Sequence, residues 1–498
     1  MQPASTLDPA VLDASPDPPD AADDPGRTRI LYGPLPWAAL RLGLPLALAM
    51  VLQVLFNLVD QYLISRLPPA VADPSLDALG ICDMVAALGT IVSYGVSSAT
   101  ATLVSNARGR GDDDEVARVA WGSVGMVTAL GVAIGLVAVL GADAIVHDLL
   151  GAKGAVRVLA RDYLRVIVGG GVTVFLMFQV TAIQRALGQS RQPLVVFAVG
   201  NVLNLLLAVL LVYGPGEAPT VFSWGPPIAR ALGIPRLEVV GAAWATVIAR
   251  AVACSVPLVL LWRSLGVSRR GVPFWPSRAT ARRIVELAWP TSTQFVVRVG
   301  AVLLVIALVH HHYTSALNSD AGTAYALCLR METMALFVSM GWGGAAQTFV
   351  GMNLGAGQRS RALRAAWVIG AYNMATMALL AMVFIGYGRT LLGFFSERPA
   401  ILDLADDYLR RVGPSYTGFG FAIVLGNALV GAGAARLALR VDAGLVLLAQ
   451  LPILLAVTTL LHQPASSLWN ALVVVNLLSA VVYTLVWRRD RRWLPVAP

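Results

Sequence analysis

Residues 103–118 read LVSNARGRGDDDEVAR, and residues 349–364 read FVGMNLGAGQRSRALR. Each stretch separates two long apolar runs, and their glycines and closing arginines, Arg118 and Arg364, align at an offset of 246 residues. Two more pairs keep nearly that spacing. Pro45 in RLGLPLAL and Pro290 in ELAWPTST both sit near the start of an apolar run, and RALGQSR at 185–191 aligns with VGAGAAR at 430–436, each at an offset of 245. Three correspondences in the same order mean a duplicated half of six helices. Six is even, so both halves enter the membrane from the same side, and the repeat is parallel about a pseudo-two-fold along the membrane normal. The glycines of these loops resemble a phosphate-binding turn only superficially: no Lys-Ser/Thr follows and no strand precedes, which excludes a P-loop ATPase.

Composition points the same way. Of 498 residues, 57% are hydrophobic and 13% charged, with a mean hydropathy of +0.71, which rules out an ordinary soluble enzyme. A transmembrane helix uses roughly 20 apolar residues. The candidate spans are 37–65, 79–104, 117–146, 160–185, 193–213 and 238–262, then 284–312, 323–352, 366–388, 409–431, 443–461 and 468–487. The expected fold is therefore an all-α integral membrane protein of about twelve transmembrane helices in two six-helix lobes. The expected division is a disordered cytoplasmic tail (1–35), a first lobe (36–264), a cytoplasmic linker (265–283), a second lobe (284–489) and a cytoplasmic tail (490–498). The net charge of +9 comes from arginines in alternate short loops. Such a distribution reports topology, not a nucleic-acid partner, and places both termini in the cytoplasm. Cys82, Cys254 and Cys328 fall in separate apolar runs without metal-ligand spacing and read as packing thiols.

An ionisable residue inside lipid costs several kcal/mol unless a partner or a wet cavity receives it, so each is a functional candidate. These are Asp60, Asp83, Arg250, Arg298, Arg330 and Glu332. Gln53, Asn57 and Asp60 share one helical face, and Asp60 lies roughly 6 to 9 Å inside the outer end of its span at about 1.5 Å per residue. Gln294 and Arg298 share a face of the seventh span. Glu332, at comparable depth on the eighth, is the expected partner of Arg298, either as a pair facing a central cavity or as a clamp between two helices. Asp83 is expected near a wetted helix end. Arg250 reads equally as a fixed partner of Asp60 and as a working group. His310, His311 and His312 cannot converge on one metal, because consecutive helical residues point about 100° apart.

The motif set GAAWAT (241–246), RALGQSRQP ahead of GNVLN (200–204), and RMET with VGMNLGAGQRSRA resembles the MATE (multidrug and toxic compound extrusion) transporters, nearest their prokaryotic DinF-like branch. The resemblance runs from about Pro36 to Arg489 and implies two lobes around a V-shaped cavity, with export by antiport against H⁺ or Na⁺ and no cofactor. It implies that Asp60 is the cation-coupling aspartate, with Asn204, Thr246 and Asn57 around it. Gln53, Asn201, Arg250, Gln294, Arg298 and Glu332 are the cavity candidates. Ala208 stands where the branch places a second acid. Sodium wants about five or six oxygens and gains from a second carboxylate, so protons are the expected ion. The expected partners are the bilayer and a small amphipathic, cationic substrate, with the chain acting as a monomer. The alternative from another class is a flippase for a lipid-linked saccharide, which would use a basic cavity. A membrane-embedded enzyme is disfavoured, since no convergent nucleophile, base or metal set appears.

Overall fold

The computed structural model describes residues 24–268, 270–315, 319–393 and 398–489, with the side chains of 56–58 outside the described set. The first half comprises α1 (Pro25–Tyr32), α2 (Leu35–Ser65), α3 (Pro69–Arg110), α4 (Asp113–Ala144), α5 (Gly154–Ile167), α6 (Val172–Ala186), α7 (Arg191–Tyr213), α8 (Gly225–Leu232) and α9 (Glu238–Ser264). The second comprises α10 (Arg278–Tyr313), α11 (Asp320–Gly355), α12 (Arg359–Gly393), α13 (Pro399–Val412), α14 (Tyr416–Gly431), α15 (Ala435–Leu445), α16 (Leu451–Leu455) and α17 (Ala465–Arg489). The duplication is visible in the helix ends: α3 and α11, α5 and α13, and α6 and α14 each finish 245 residues apart.

Among the described residues, nine helices or continuous helical runs are long and apolar enough to cross a bilayer, and α5 with α6, bent by 42° at their junction, form a tenth. The duplicates of α3 and of α5–α6, namely α11 and α13–α14, bring the spans to twelve, six in each lobe. The helix α11 is less apolar because it faces little lipid: every residue from Gly341 to Leu354 is buried, packed among α2, α3, α12 and α14. Leu140, Leu448 and Leu460 by contrast are more than three-quarters exposed, as a lipid-facing belt requires.

The lobes meet where small residues let backbones touch. At the end carrying the arginine-rich loops, α3 crosses α11 so closely that a Cβ on Gly109 would lie 2.1 Å from the Met352 carbonyl oxygen, and one on Gly355 would lie 2.2 Å from that of Asn106. Gln347 Nε2 of α11 donates to Thr102 Oγ1 of α3 at 2.9 Å beside that crossing. The first span of each lobe leans on the opposite lobe, α2 on α11 and α10 on α3.

Three expectations change. Residues 25–32, expected within a disordered tail, form α1, because Asp24 caps the Arg27 N–H at 3.1 Å and the helix buries Ile30 and Leu31. This helix joins the halves: Asp24 pairs with Arg108 of α3 at 2.5 Å, while Arg361 of α12 donates to the carbonyl oxygens of Ile30 and Gly33 at 3.1 and 2.5 Å. The segment 66–78, expected as a loop, is helical from Pro69, which suits the first turn of a helix since its missing N–H has no partner there anyway. The linker gives way to α10 at Arg278, where Ser277 Oγ accepts from Thr280 N. Residues 1–23 and 490–498, read as tails, lie outside the described residues, as do 269, 316–318 and 394–397.

Candidate functional site

Helices α7 and α9 pack in close contact because Gly241 lets α9 approach the backbone of α7: a Cβ there would lie 2.5 Å from the Leu211 carbonyl oxygen. About a turn and a half further along α9, Thr246 meets Asn204 of α7, and Asp60 of α2 completes the group. Asn204 Nδ2 donates to Asp60 Oδ1 at 2.9 Å, and Thr246 Oγ1 lies 2.8 Å from Asp60 Oδ2 and 3.1 Å from Asn204 Oδ1. All three side chains are buried, at 6%, 1% and 2% exposure. The Thr246 hydroxyl has one hydrogen and two acceptors. With Asp60 ionised, this cluster is therefore one hydrogen short of full pairing.

Asp60 and Thr246 border a cavity of about 340 Å³ that also takes in Gln53, Asp83, Arg185 and Arg250. Arg250 is buried, and its guanidinium feels the charges of Asp60 and Asp83. Asp83 is not near a helix end as expected: the early start of α3 puts it four turns inside. Gln53 lies two turns before Asp60 on the same helix and is buried. Asn201 faces elsewhere, its amide donating to the carbonyl oxygens of Leu52 and Phe197 at 3.0 and 2.8 Å and so clipping α7 to α2. The side chain of Asn57 lies outside the described residues. Arg330 is exposed on α11.

The expected Arg298–Glu332 pair does not form. Arg298 Nε instead meets Asp442 Oδ2 of α15 at 2.7 Å. Gln294 Nε2 donates to the same oxygen at 2.9 Å, and the Tyr483 hydroxyl of α17 donates to Asp442 Oδ1 at 2.5 Å. Glu332 accepts from the Tyr408 hydroxyl at 2.7 Å. Equal depth does not mean equal azimuth, and Asp442 lies one residue ahead of the apolar run 443–461, outside the span that the sequence marks. A signal was available: Arg436 and Arg440 define one face of that helix by their i,i+4 spacing, and Asp442, two positions on, must point away from it. Arg298, Glu332 and Asp442 border a second cavity of about 370 Å³ within the second lobe, walled mainly by apolar and aromatic side chains such as Phe295, Tyr325 and Phe419, with Thr333, Gln450, Asn476 and Ser479 among them.

The twelve spans in two lobes match the fold of known proteins. A probable multidrug resistance protein NorM of Thermotoga maritima is 23% identical over 79% of this chain and 78% of its own length. A protein of Shewanella oneidensis named FAD transporter is 25% identical over 81% of this chain and 84% of its own. Solved structures share the fold. A MOP superfamily transporter of Pyrococcus furiosus superposes with a TM-score of 0.79 at 20% identity, covering 92% of this chain and 96% of that one. A MATE crystal structure in the straight conformation superposes with 0.78 at 20%, covering 92% and 97%. The MatE family model matches residues 45–210 and 299–456, one segment in each lobe. With both halves of the duplication matched, this chain belongs to the MatE family and is a multidrug and toxic compound extrusion transporter of the membrane.

Proposed function

We propose that this chain exports small amphipathic compounds, organic cations foremost, by antiport against protons, with Asp60 as the proton carrier. The observation that carries this reading is the missing hydrogen in the Asp60–Asn204–Thr246 cluster. A proton arriving on Asp60 Oδ2 lets the carboxyl donate to Thr246 Oγ1, and the Thr246 hydrogen turns to Asn204 Oδ1. Every contact then holds one hydrogen, with no heavy atom displaced. Sodium fits less well. The cluster offers four side-chain oxygens, and fully buried Ala208 stands where a further acid would have to be.

The apolar walls of both cavities suit a greasy body, and Asp60, Asp83 and Glu332 suit a positive charge. The arginine-rich end, where the lobes are packed together, is the cytoplasmic side of a bacterial inner membrane on this reading, with both termini there and the chain working as a monomer. A second reading, a phosphate-bearing substrate such as a lipid-linked saccharide, draws on Arg185, whose buried Nε has no hydrogen-bond acceptor at the cavity wall. The relative named FAD transporter accords with it. It is weakened at Arg298, whose charge Asp442 already neutralises.

The test is uptake of a fluorescent cationic dye into everted vesicles, with pH and sodium gradients imposed separately. Uptake driven by the pH gradient in sodium-free buffer is expected. Uptake that collapses when sodium is withdrawn under an intact pH gradient would reverse the choice of ion.

A further inference from the structure

At the arginine-rich end, outside both transport cavities, the first lobe contains a separate hollow of about 510 Å³. Its walls come from α1, the first turns of α2, the end of α3 and start of α4, the turn between α6 and α7 with the start of α7, and the end of α9 with the segment after it. Five arginines border it against two aspartates, and the aspartates are already engaged. Arg108 takes both, bridging Asp24 and Asp113, and Arg270 pairs with Asp114. Arg29, Arg41 and Arg191 have no carboxylate partner among the described residues. Arg29 has only a long contact of 3.4 Å to the Pro25 carbonyl oxygen.

Three like charges held around one hollow repel one another. Partial burial first, then the neighbouring Arg41 and Arg191, pull the Arg29 guanidinium below its usual range. A second feature of the hollow points the same way. The 23-residue α7 begins there at Arg191 with no side-chain cap, because the Ser190 hydroxyl donates to the Arg41 carbonyl oxygen at 3.0 Å instead of accepting from its own helix. Pro193 carries no N–H, so the N–H groups of Arg191 and Gln192, with the positive end of the helix dipole, are what the start of α7 brings to the space the arginines share. Left-handed Gly188, at φ 79°, makes the tight turn that puts Gln189 and Gln192 on the rim as further polar contacts.

We infer that this hollow is a binding site for a phosphate-bearing anion, held by Arg29, Arg41, Arg191 and the N-terminus of α7. Guanidinium forks match phosphate oxygens bidentately, and an uncapped helix start supplies backbone donors at the same place. The group recognised is the phosphate itself, whether it comes on a soluble molecule or on an anionic lipid headgroup reaching in from the nearby bilayer surface. The site stands independently of what is exported and of which ion drives export.

The test uses the purified full chain. Its thermal midpoint and affinity are measured with inorganic pyrophosphate in neutral detergent, and its thermal midpoint again in phosphatidylcholine nanodiscs with and without phosphatidylglycerol. The double variant Arg41→Gln/Arg191→Gln is compared with Arg118→Gln/Arg440→Gln, which removes two exposed arginines elsewhere. The parent and the control should be stabilised by the probe, and the pocket variant should lose about tenfold or more in affinity, since each charge-assisted contact is worth roughly that much. Stabilisation by pyrophosphate identifies a soluble ligand. Stabilisation only by phosphatidylglycerol, lost in the pocket variant, identifies a headgroup. Equal stabilisation of all three proteins would overturn the site in favour of a diffuse basic face. A response to neither probe would also overturn it.

Discussion

Asp60 is held by two neutral donors, one from each of two helices, and that decides what its substitution should do. Asp60→Asn keeps the size and most of the hydrogen bonding but cannot take up a proton, so the protein should still fold, bind dye and lose gradient-driven uptake to background. Parental uptake at a fixed pH gradient would remove Asp60 from the mechanism. Thr246 makes a finer test, because its hydroxyl is the group that turns. Thr246→Val leaves Asp60 Oδ2 and Asn204 Oδ1 without that donor, at a cost of about 1 to 3 kcal/mol for a buried acceptor left unpaired. Initial uptake rates should fall roughly tenfold or more, while Thr246→Ser, which restores the hydroxyl, should stay near the parental rate. A valine variant as fast as the parent would show that the hydroxyl takes no part.

At the scale of helices, what could be read from sequence followed the length and polarity of each run. Asp60 was legible because it lies inside an apolar run with Gln53 on the same face. Asn204 and Thr246 needed the family motifs to be picked out, because a single asparagine or threonine in a span is unremarkable on its own. Asp442 was legible only through the face that Arg436 and Arg440 define, since the run around it is amphipathic and its helix starts before the apolar stretch does. The same effect hid α1, a short helix with little apolar character of its own, held by Arg108 and Arg361 from the two lobes. The Arg298–Asp442 pair, joining α10 to α15, can be tested as a unit. Removing one member of a buried pair typically costs about 3 to 5 kcal/mol, whereas removing both can be nearly neutral. Arg298→Met and Asp442→Asn should each lower the thermal midpoint in detergent, and the double variant should recover much of the loss. Glu332→Gln combined with Arg298→Met should be additive, as expected for residues that share a cavity but not a bond. Additive losses for Arg298 and Asp442 would mean that the pair is not what stabilises the lobe.

Across the whole molecule, the duplication visible in two short loops governs how the lobes meet. The helices that lead into those loops, α3 and α11, cross one another, and their glycines close one end of the protein while the cavities lie between and within the lobes. Export by alternating access requires that this closed end separate in turn, by rocking of one lobe against the other. Ser105 and Gly351 offer a way to prevent it. A Cβ on Gly351 would lie 3.2 Å from the Ser105 Cβ, just under the roughly 3.5 to 4.5 Å that a disulfide spans, so the two helices need part by only a few tenths of an ångström to accept one. The three native cysteines are all buried and far apart in sequence, so they offer little competition. In the double variant Ser105→Cys/Gly351→Cys, oxidation should consume both new thiols and stop dye export, and reduction should restore it. The single variant Ser105→Cys should be indifferent to oxidant. If the oxidised double variant has lost its thiols and still exports at the reduced rate, the α3–α11 crossing is a fixed hinge, and the lobes must move about it rather than part there.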